Sequence, residues 1–305
     1  MARAAAVTSE HDLNLQEEMD RPPETRIDPV LGTVVHVVGT RQARPNLPAS
    51  GCPFCVGGRE APDPYDVRWF SNRWPAMAGD RCEVVLYSPI HDATLPTLGV
   101  SGVRKVIDVW ADRTEQLGRR DDVDYVLVFE NRGAEVGATI AHPHGQIYAY
   151  DHVPTRQARR LAAGWAPDKA PDDRLITEVD GWRSWVPYAP TFPVSVEVAP
   201  NERVPGLTML DDAGRDGFAA MLTDVLARLD RLYGEPLPYM MWLNQRPTNS
   251  ASAVAGFDQA WFNVEIVSPW RSAGVQRFIA AAEVASEEYF NPVIPEDVAA
   301  KLRNS

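Results

Sequence analysis

Apolar residues follow two periods along this chain. Short runs rich in β-branched and aromatic residues predict strands at Thr33 to Val38, Val67 to Trp74, Cys82 to Tyr87, Tyr125 to Glu130 and Ile147 to Tyr150. Elsewhere the apolar positions recur at helical spacing. Val103, Val106, Ile107, Trp110 and Leu117 define a core-facing helix over Val100 to Leu117, and Phe218, Met221, Leu222, Val225, Leu226 and Leu229 define a longer one over Asp211 to Leu232. Thr155 to Ala163 reads as a short helix. Strand-like pieces at Leu175 to Val179, Arg183 to Tyr188 and Val194 to Val198 are interrupted by prolines, and the segments Val275 to Glu288 and IPEDVAAKLR predict two closing helices.

The pattern repeats weakly. Tyr239 to Asn244 and Trp261 to Pro269 reproduce the order of Tyr125 to Asn131 and His142 to Tyr150: a strand, a polar connection and a strand, with a helix before each pair. Two related β-rich units sharing one sheet are therefore expected. Aligning HPHGQ with WFNVE sets Trp261 opposite His142, Asn263 opposite His144 and Glu265 opposite Gln146, so the second unit carries no histidine nucleophile.

Composition narrows the function. A chain of 305 residues forms one large domain or two of ordinary size, and a net charge of −12 argues against phosphate-backbone binding as the main activity. No apolar run reaches the ~20 residues of a membrane helix, and the N-terminus lacks an apolar core of signal-peptide length, so a cytoplasmic location is expected. Residues 1–24, ending near Pro22-Pro23, read as a flexible arm. The three cysteines are too sparse for a disulfide framework.

Candidate chemistry concentrates between Glu130 and Tyr150. His142 and His144 are one residue apart on an extended segment and so project from one face. The connection Asn131 to Thr139 contains glycine and offers backbone amides to an anion, beside imidazoles able to attack phosphorus. Taken alone, such a pair is as often a metal site as a catalytic one. Cys52 and Cys55 lie in a Gly/Pro-rich loop, GCPFC, which suits half of a tetrahedral zinc site better than a thioredoxin-like dithiol and calls for two further nitrogen or sulfur ligands. Cys82 sits in an apolar strand and reads as inert.

HPHGQ preceded by Asn131-Arg-Gly and a second glycine, Gly137, resembles the histidine-triad superfamily, and specifically its galactose-1-phosphate uridylyltransferase branch. The resemblance runs from about Arg26 to Arg303. It implies an α+β fold of two histidine-triad-like units, with a largely antiparallel sheet flanked by helices. The catalytic half would cover residues 25–165 and the half without a nucleophile residues 166–305. It also implies that His91 and His142 complete the zinc site with Cys52 and Cys55. A site closed by four protein ligands is structural. His144 would be the nucleophile and Gln146 a donor to the phosphate. Arg41, Arg44, Asn72, Asn131, Gly137 and Thr139 would contact the nucleotide and its phosphates, and Arg277 and Glu283 the sugar. A homodimer is implied too.

The reaction so implied moves a nucleoside monophosphate, UMP first, between a nucleotide sugar and a sugar 1-phosphate through a nucleotidyl-histidine. Glutamine, unlike the third histidine of hydrolytic relatives, donates a hydrogen bond without titrating near neutrality, which favours transfer over hydrolysis. The sequence departs from the family where Trp261, Asn263 and Asn244 stand in place of histidines that serve a second metal site, so that site is expected to be absent. Arg73 follows Asn72 where relatives often carry an acid, and Ser286 to Tyr289 does not match galactose enzymes. The alternatives are a different nucleotide or sugar phosphate, phosphorolysis of a dinucleotide, a hydrolase, or a noncatalytic zinc-stabilised nucleotide-binding protein.

Overall fold

A computed structural model describes residues 23–39, 41 and 51–305. The expected arm and Arg44 lie outside the described residues, apart from Pro23 and Glu24. Glu24 opens strand β1 (Glu24–Ile27), which pairs with β2 (Val34–Val37) in a separate hairpin.

The rest is built on one nine-stranded antiparallel sheet. In chain order its strands are β3 (Arg68–Ser71), β4 (Cys82–Leu86), β5 (Tyr125–Arg132), β6 (His144–Tyr150), β7 (Leu175–Val179), β8 (Trp182–Trp185), β9 (Val194–Pro200), β10 (Tyr239–Asn244) and β11 (Asn263–Ser268). In space they run β3-β4-β6-β5-β10-β11-β9-β8-β7. The two halves mirror each other about the β5/β10 seam: β4-β6-β5 on one side answers β9-β11-β10 on the other. Helix α1 (Gly99–Gly118) precedes β5 as helix α3 (Asp212–Arg231) precedes β10. This is the mixed α/β architecture expected, with the helices against the sheet.

One face of the sheet makes the core. On β6, Gly145, Ile147 and Ala149 are buried while His144, Gln146, Tyr148 and Tyr150 are half-buried, the period-two alternation of a strand with one covered face. Ile147 joins Val126, Val128 and the α1 residues Val103, Ile107 and Trp110 in one apolar cluster with Phe218, Leu222 and Val225 of α3. Helices α1 and α3 pack on each other.

The outer face carries a row of directly opposed residues: Phe70, Val84, Gln146, Phe129, Trp242, Glu265, Glu197 and Trp185. Opposed residues project to the same side, so this row crosses both halves on one surface. Gln146 and Glu265 occupy mirror positions in it, the correspondence expected from HPHGQ against WFNVE. The second half of the row is roofed by helix α2 (Thr155–Ala162), so β11 is buried on its outer face at Asn263 and Glu265 as well as on its core face at Val264 and Ile266.

The closing segment differs from expectation. After the short strand β12 (Trp270–Ser272), Val275 and Gln276 form strand β13 opposite it, and only Ala281–Ser286 become helical (α4), followed by α5 (Pro295–Arg303). The Ala280 amide donates to Glu283 Oε2 at 2.9 Å, which fixes the later helix start. Among the described residues no helix is long and apolar enough to cross a membrane.

Candidate functional site

His144 opens β6, directly opposite Leu86 of β4. Its Nδ1 lies 2.8 Å from the backbone carbonyl of His142. A carbonyl only accepts, so Nδ1 carries the proton and the lone pair is on Nε2. The His144 and Phe54 rings meet edge to face with their centroids 5.1 Å apart. Backbone and aromatic together fix both tautomer and direction.

Two residues along, Gln146 Oε1 meets the Asn72 amide Nδ2 at 3.5 Å. Asn72 is itself held: its backbone N–H donates to Cys82 O at 2.8 Å and its Oδ1 accepts from Trp74 N at 2.9 Å. With Oε1 engaged, the Gln146 amide presents N–H donors to a ligand on the outer face. The glycine between the two side chains has a steric cause. A Cβ at Gly145 would fall 2.0 Å from the Tyr87 hydroxyl beneath the strand.

That hydroxyl belongs to a buried polar pocket. Glu130 Oε1 accepts from the Tyr239 hydroxyl at 3.0 Å, while Glu130 Oε2 and the Tyr87 hydroxyl are buried without a hydrogen-bond partner among the described residues. Burial pushes the Glu130 carboxyl up to about 7.

Cys52, Cys55, His91 and His142 converge so that their ligand atoms all lie within 4.8 Å of one another. Cys55 Sγ is 3.5 Å from His91 Nδ1 and 3.7 Å from His142 Nδ1. The other nitrogen of His142, Nε2, is 2.8 Å from the Ser88 carbonyl, so it carries the proton and Nδ1 keeps a lone pair facing the thiols. Burial lowers the His142 pKa, which keeps the ring neutral. Two thiols and two imidazoles with lone pairs converging suit a tetrahedral divalent cation. Tyr65, which nothing in the sequence marked, ties the cluster together. Its hydroxyl lies 2.7 Å from the Phe54 carbonyl, 2.9 Å from that of Ser88 and 2.9 Å from His142 Nε2.

The remaining sequence candidates are spread along the same edge and beyond it. Asn131, next to last in β5, lies opposite Met240. Gly137 takes a left-handed conformation, φ 87°, closing the turn Ala134–Val136, and half-buried Thr139 follows in the connection to β6. Arg41 is near enough to Cys82, opposite Tyr148, for its charge to offset part of the upward push that burial gives that thiol. Arg277 and Glu283 instead form a buried ion pair with each other. Arg277 also donates to the carbonyls of Thr191 and Phe290, and Glu283 accepts from the amides of Ala280 and Phe290.

The mirror position in the second half holds an ion cluster in place of histidines. Arg156 reaches both Glu265 oxygens, at 2.8 and 2.7 Å, and Arg160 contacts Glu265, Glu197 and Asn263. Asn244 donates to Asn263 and Glu265 at 2.9 Å. Burial raises the Glu197 carboxyl to about 7, while the arginines and Asn244 outweigh burial at Glu265 and lower it. Sequence reasoning placed a short helix here and singled out neither Arg156 nor Arg160. The signal for them was indirect: a Glu inside each of the apolar runs VSVEVAP and NVEIVS needs a buried cation.

A paired, single-sheet fold with one histidine-bearing strand end and a Cys2His2 cluster behind it defines the class: a two-unit protein of the histidine-triad type. The comparisons agree. The family description "Galactose-1-phosphate uridyl transferase, N-terminal domain" matches residues 72–154, and the C-terminal domain of the same family matches residues 138–305. Galactose-1-phosphate uridylyltransferase of Thermotoga maritima is 33% identical, over 92% of this chain and 98% of that protein. Its namesake from Streptomyces lividans is 38% identical over 77% of this chain and 76% of its own. A solved uridylyltransferase structure superposes with a TM-score of 0.80 at 26% identity, covering 92% of this chain and 97% of the other. This chain belongs to the galactose-1-phosphate uridylyltransferase family.

Proposed function

We propose that the chain transfers a nucleoside monophosphate, UMP first, between a nucleoside diphosphate sugar and a sugar 1-phosphate, with His144 as the covalent carrier. Family membership supports the reaction class, and the observation that carries the assignment to His144 is its Nδ1–H bond to the His142 carbonyl. In that tautomer the Nε2 lone pair attacks the α-phosphorus. The bond from phosphorus to the bridging oxygen breaks and the sugar 1-phosphate leaves with the electron pair. The ring becomes an N-phosphorylated imidazolium whose Nδ1–H stays on the carbonyl, so no proton moves. A second sugar 1-phosphate attacks the same phosphorus and returns His144 to its starting state. Two displacements at one group predict ping-pong kinetics.

Gln146, with the connection from Asn131 through Gly137 to Thr139, is the proposed donor set for the nonbridging oxygens. Arg41 and Arg44 would approach the phosphates, and Asn72 the nucleoside side. Arg277 and Glu283 already neutralise one another, so in this reading they shape the segment that faces the sugar, and direct contact would require their pair to open. The Cys2His2 cluster would hold zinc. A zinc there supplies a cross-link between the Cys52–Cys55 loop and the strand of His144, and takes no part in bond making. The division into residues 25–165 and 166–305, a cytoplasmic location and a homodimer belong to the same proposal.

The test is intact-protein mass spectrometry after incubation with a panel of uracil and adenine nucleotide sugars. One uridylyl group gained from UDP-glucose, and lost on adding a hexose 1-phosphate, is the expected result. No adduct with any donor overturns the reading, and a different added mass reassigns the nucleotide.

A further inference from the structure

Tyr87 meets the HPHGQ segment at two points that bracket His144. Its backbone N–H donates to the Pro143 carbonyl at 3.1 Å, and its hydroxyl lies 2.0 Å from where a Cβ on Gly145 would stand. The residue that carries the proposed nucleophile is thus held on both sides by one neighbour. The Tyr87 ring is buried in the core and meets Trp110 edge to face, with centroids 5.7 Å apart. A ring packed in this way cannot swing aside, so its hydroxyl is a fixed stop beneath Gly145.

For the core alone a phenylalanine would serve better, because a buried hydroxyl without a hydrogen bond costs stability. The same is true of Glu130. Its Oε1 accepts from the Tyr239 hydroxyl, but Oε2, like the Tyr87 hydroxyl, is buried without a partner among the described residues. The two orphan groups act on each other. Beyond the effect of burial, Glu130 pushes the Tyr87 hydroxyl further up, while Tyr239, Arg132 and Tyr87 offset part of the upward push on Glu130 and Asp230 adds to it. Arg132 is itself taken by Asp230 at 2.7 Å. That leaves Oε2 of Glu130 and the hydroxyl of Tyr87 to each other.

We infer that Glu130 and Tyr87 pair beneath β6 and that Tyr87, braced in this way, is a positioning residue for His144 and Gln146 in the transfer. The pair holds in either state of the acid: neutral Glu130 donates from Oε2 to the Tyr87 oxygen, and the carboxylate accepts from the Tyr87 O–H. Gly145 lies between the two side chains that must meet one phosphorus, so a small shift of its α-carbon misdirects both. Tyr87 and Glu130 lie on the core face and act through Gly145. This inference deepens the proposed function and rests on it.

The test is the single-turnover rate of adduct formation from UDP-glucose, read as a limiting rate constant and a half-saturating concentration, with the melting temperature measured on each sample. Tyr87→Phe keeps the ring and Glu130→Met keeps the bulk. Each should lower the limiting rate roughly tenfold while the half-saturating concentration changes less than twofold. Glu130→Gln should stay near the wild-type rate, because the amide still accepts from Tyr239 and donates to Tyr87; it is the conservative rescue that guards against a folding artefact. In Tyr87→Phe, adding Glu130→Met should cost nothing more, since Glu130 acts through the Tyr87 hydroxyl. A wild-type limiting rate in Tyr87→Phe would overturn the inference. So would losses that multiply in the double variant, or an effect confined to the half-saturating concentration. Failure of the proposed function shows separately, as an absent adduct on the wild-type chain.

Discussion

The imidazole of His144 donates to the backbone carbonyl of His142 at 2.8 Å, while the His142 ring turns the other way, its Nδ1 toward Cys55 and its Nε2 toward Ser88. One residue thus aims the proposed nucleophile through its main chain and anchors the Cys2His2 cluster through its side chain. Replacing His144 by alanine should remove adduct formation and turnover altogether. The expected melting temperature is close to wild type, because the ring is only half-buried. Adduct mass and thermal unfolding, measured on the same sample, check both.

Gln146 is expected to act only as a donor. Gln146→Ala should lower transfer by ~10²-fold, the scale for losing one positioned oxyanion donor. Gln146→His should raise the ratio of free UMP released to UMP transferred, because histidine adds a titrating group near neutrality. An assay of UDP-glucose turnover with and without hexose 1-phosphate reads both effects.

Metal removal should act through stability. With four ligands converging within 4.8 Å, chelation is expected to release one divalent ion per chain and to lower the melting temperature by many degrees. Cys52→Ser should mimic it in part. Metal analysis alongside calorimetry checks the stoichiometry. A chelated sample that kept its melting temperature would show the cluster to be idle.

Gly145 is predicted to be irreplaceable on steric grounds. Gly145→Ala sets a Cβ 2.0 Å from the Tyr87 hydroxyl, and overpacking of this kind costs about 1–3 kcal/mol. Tyr87→Phe removes that oxygen and should recover part of the loss. A double-mutant cycle in urea measures the coupling.

Glu130 should leave a signature in the pH dependence of stability. Burial pushes its carboxyl up to about 7 in the folded chain from the ordinary 4.5, so between those pH values the unfolded chain ionises first. The unfolded state then binds fewer protons, and this group's contribution to stability falls as pH rises through the window, by an amount of order 3 kcal/mol. Glu130→Gln removes the effect. The difference in stability between variant and wild type should therefore shift in favour of the variant from pH 4.5 to 7.5, as measured by urea unfolding.

Much of this was legible in the chain itself, for reasons that differ by element. The helices α1 and α3 and the strands β5, β6 and β10 followed from periodicity, since each buries one face on a single core. Two related units sharing one sheet were expected from the repeated strand order with HPHGQ opposite WFNVE, which the register of Gln146 and Glu265 reproduces, while the α+β architecture with an antiparallel sheet came from the family resemblance. The gathering of Cys52, Cys55, His91 and His142 came from resemblance; spacing alone spoke for the cysteines. Long-range partnerships stayed hidden. Tyr65 sits in a proline-rich loop with no periodic context, and its role depends on three groups from distant segments. Arg277 and Glu283 were read as polar positions on a helix, yet the segment folds into a strand and a short turn of helix that close on their ion pair.

The seam between β5 and β10 has a consequence for how the chain tolerates division. Tyr239, Met240, Met241 and Trp242 stand opposite Arg132, Asn131, Glu130 and Phe129 in the antiparallel ladder in the middle of the sheet, so neither half ends in a natural border strand. A chain cut between α2 and β7 would present on each fragment a bare apolar strand edge, the template for aggregation or for re-pairing with the missing piece. Split halves should therefore be insoluble when made singly and recover a folded sheet when made together.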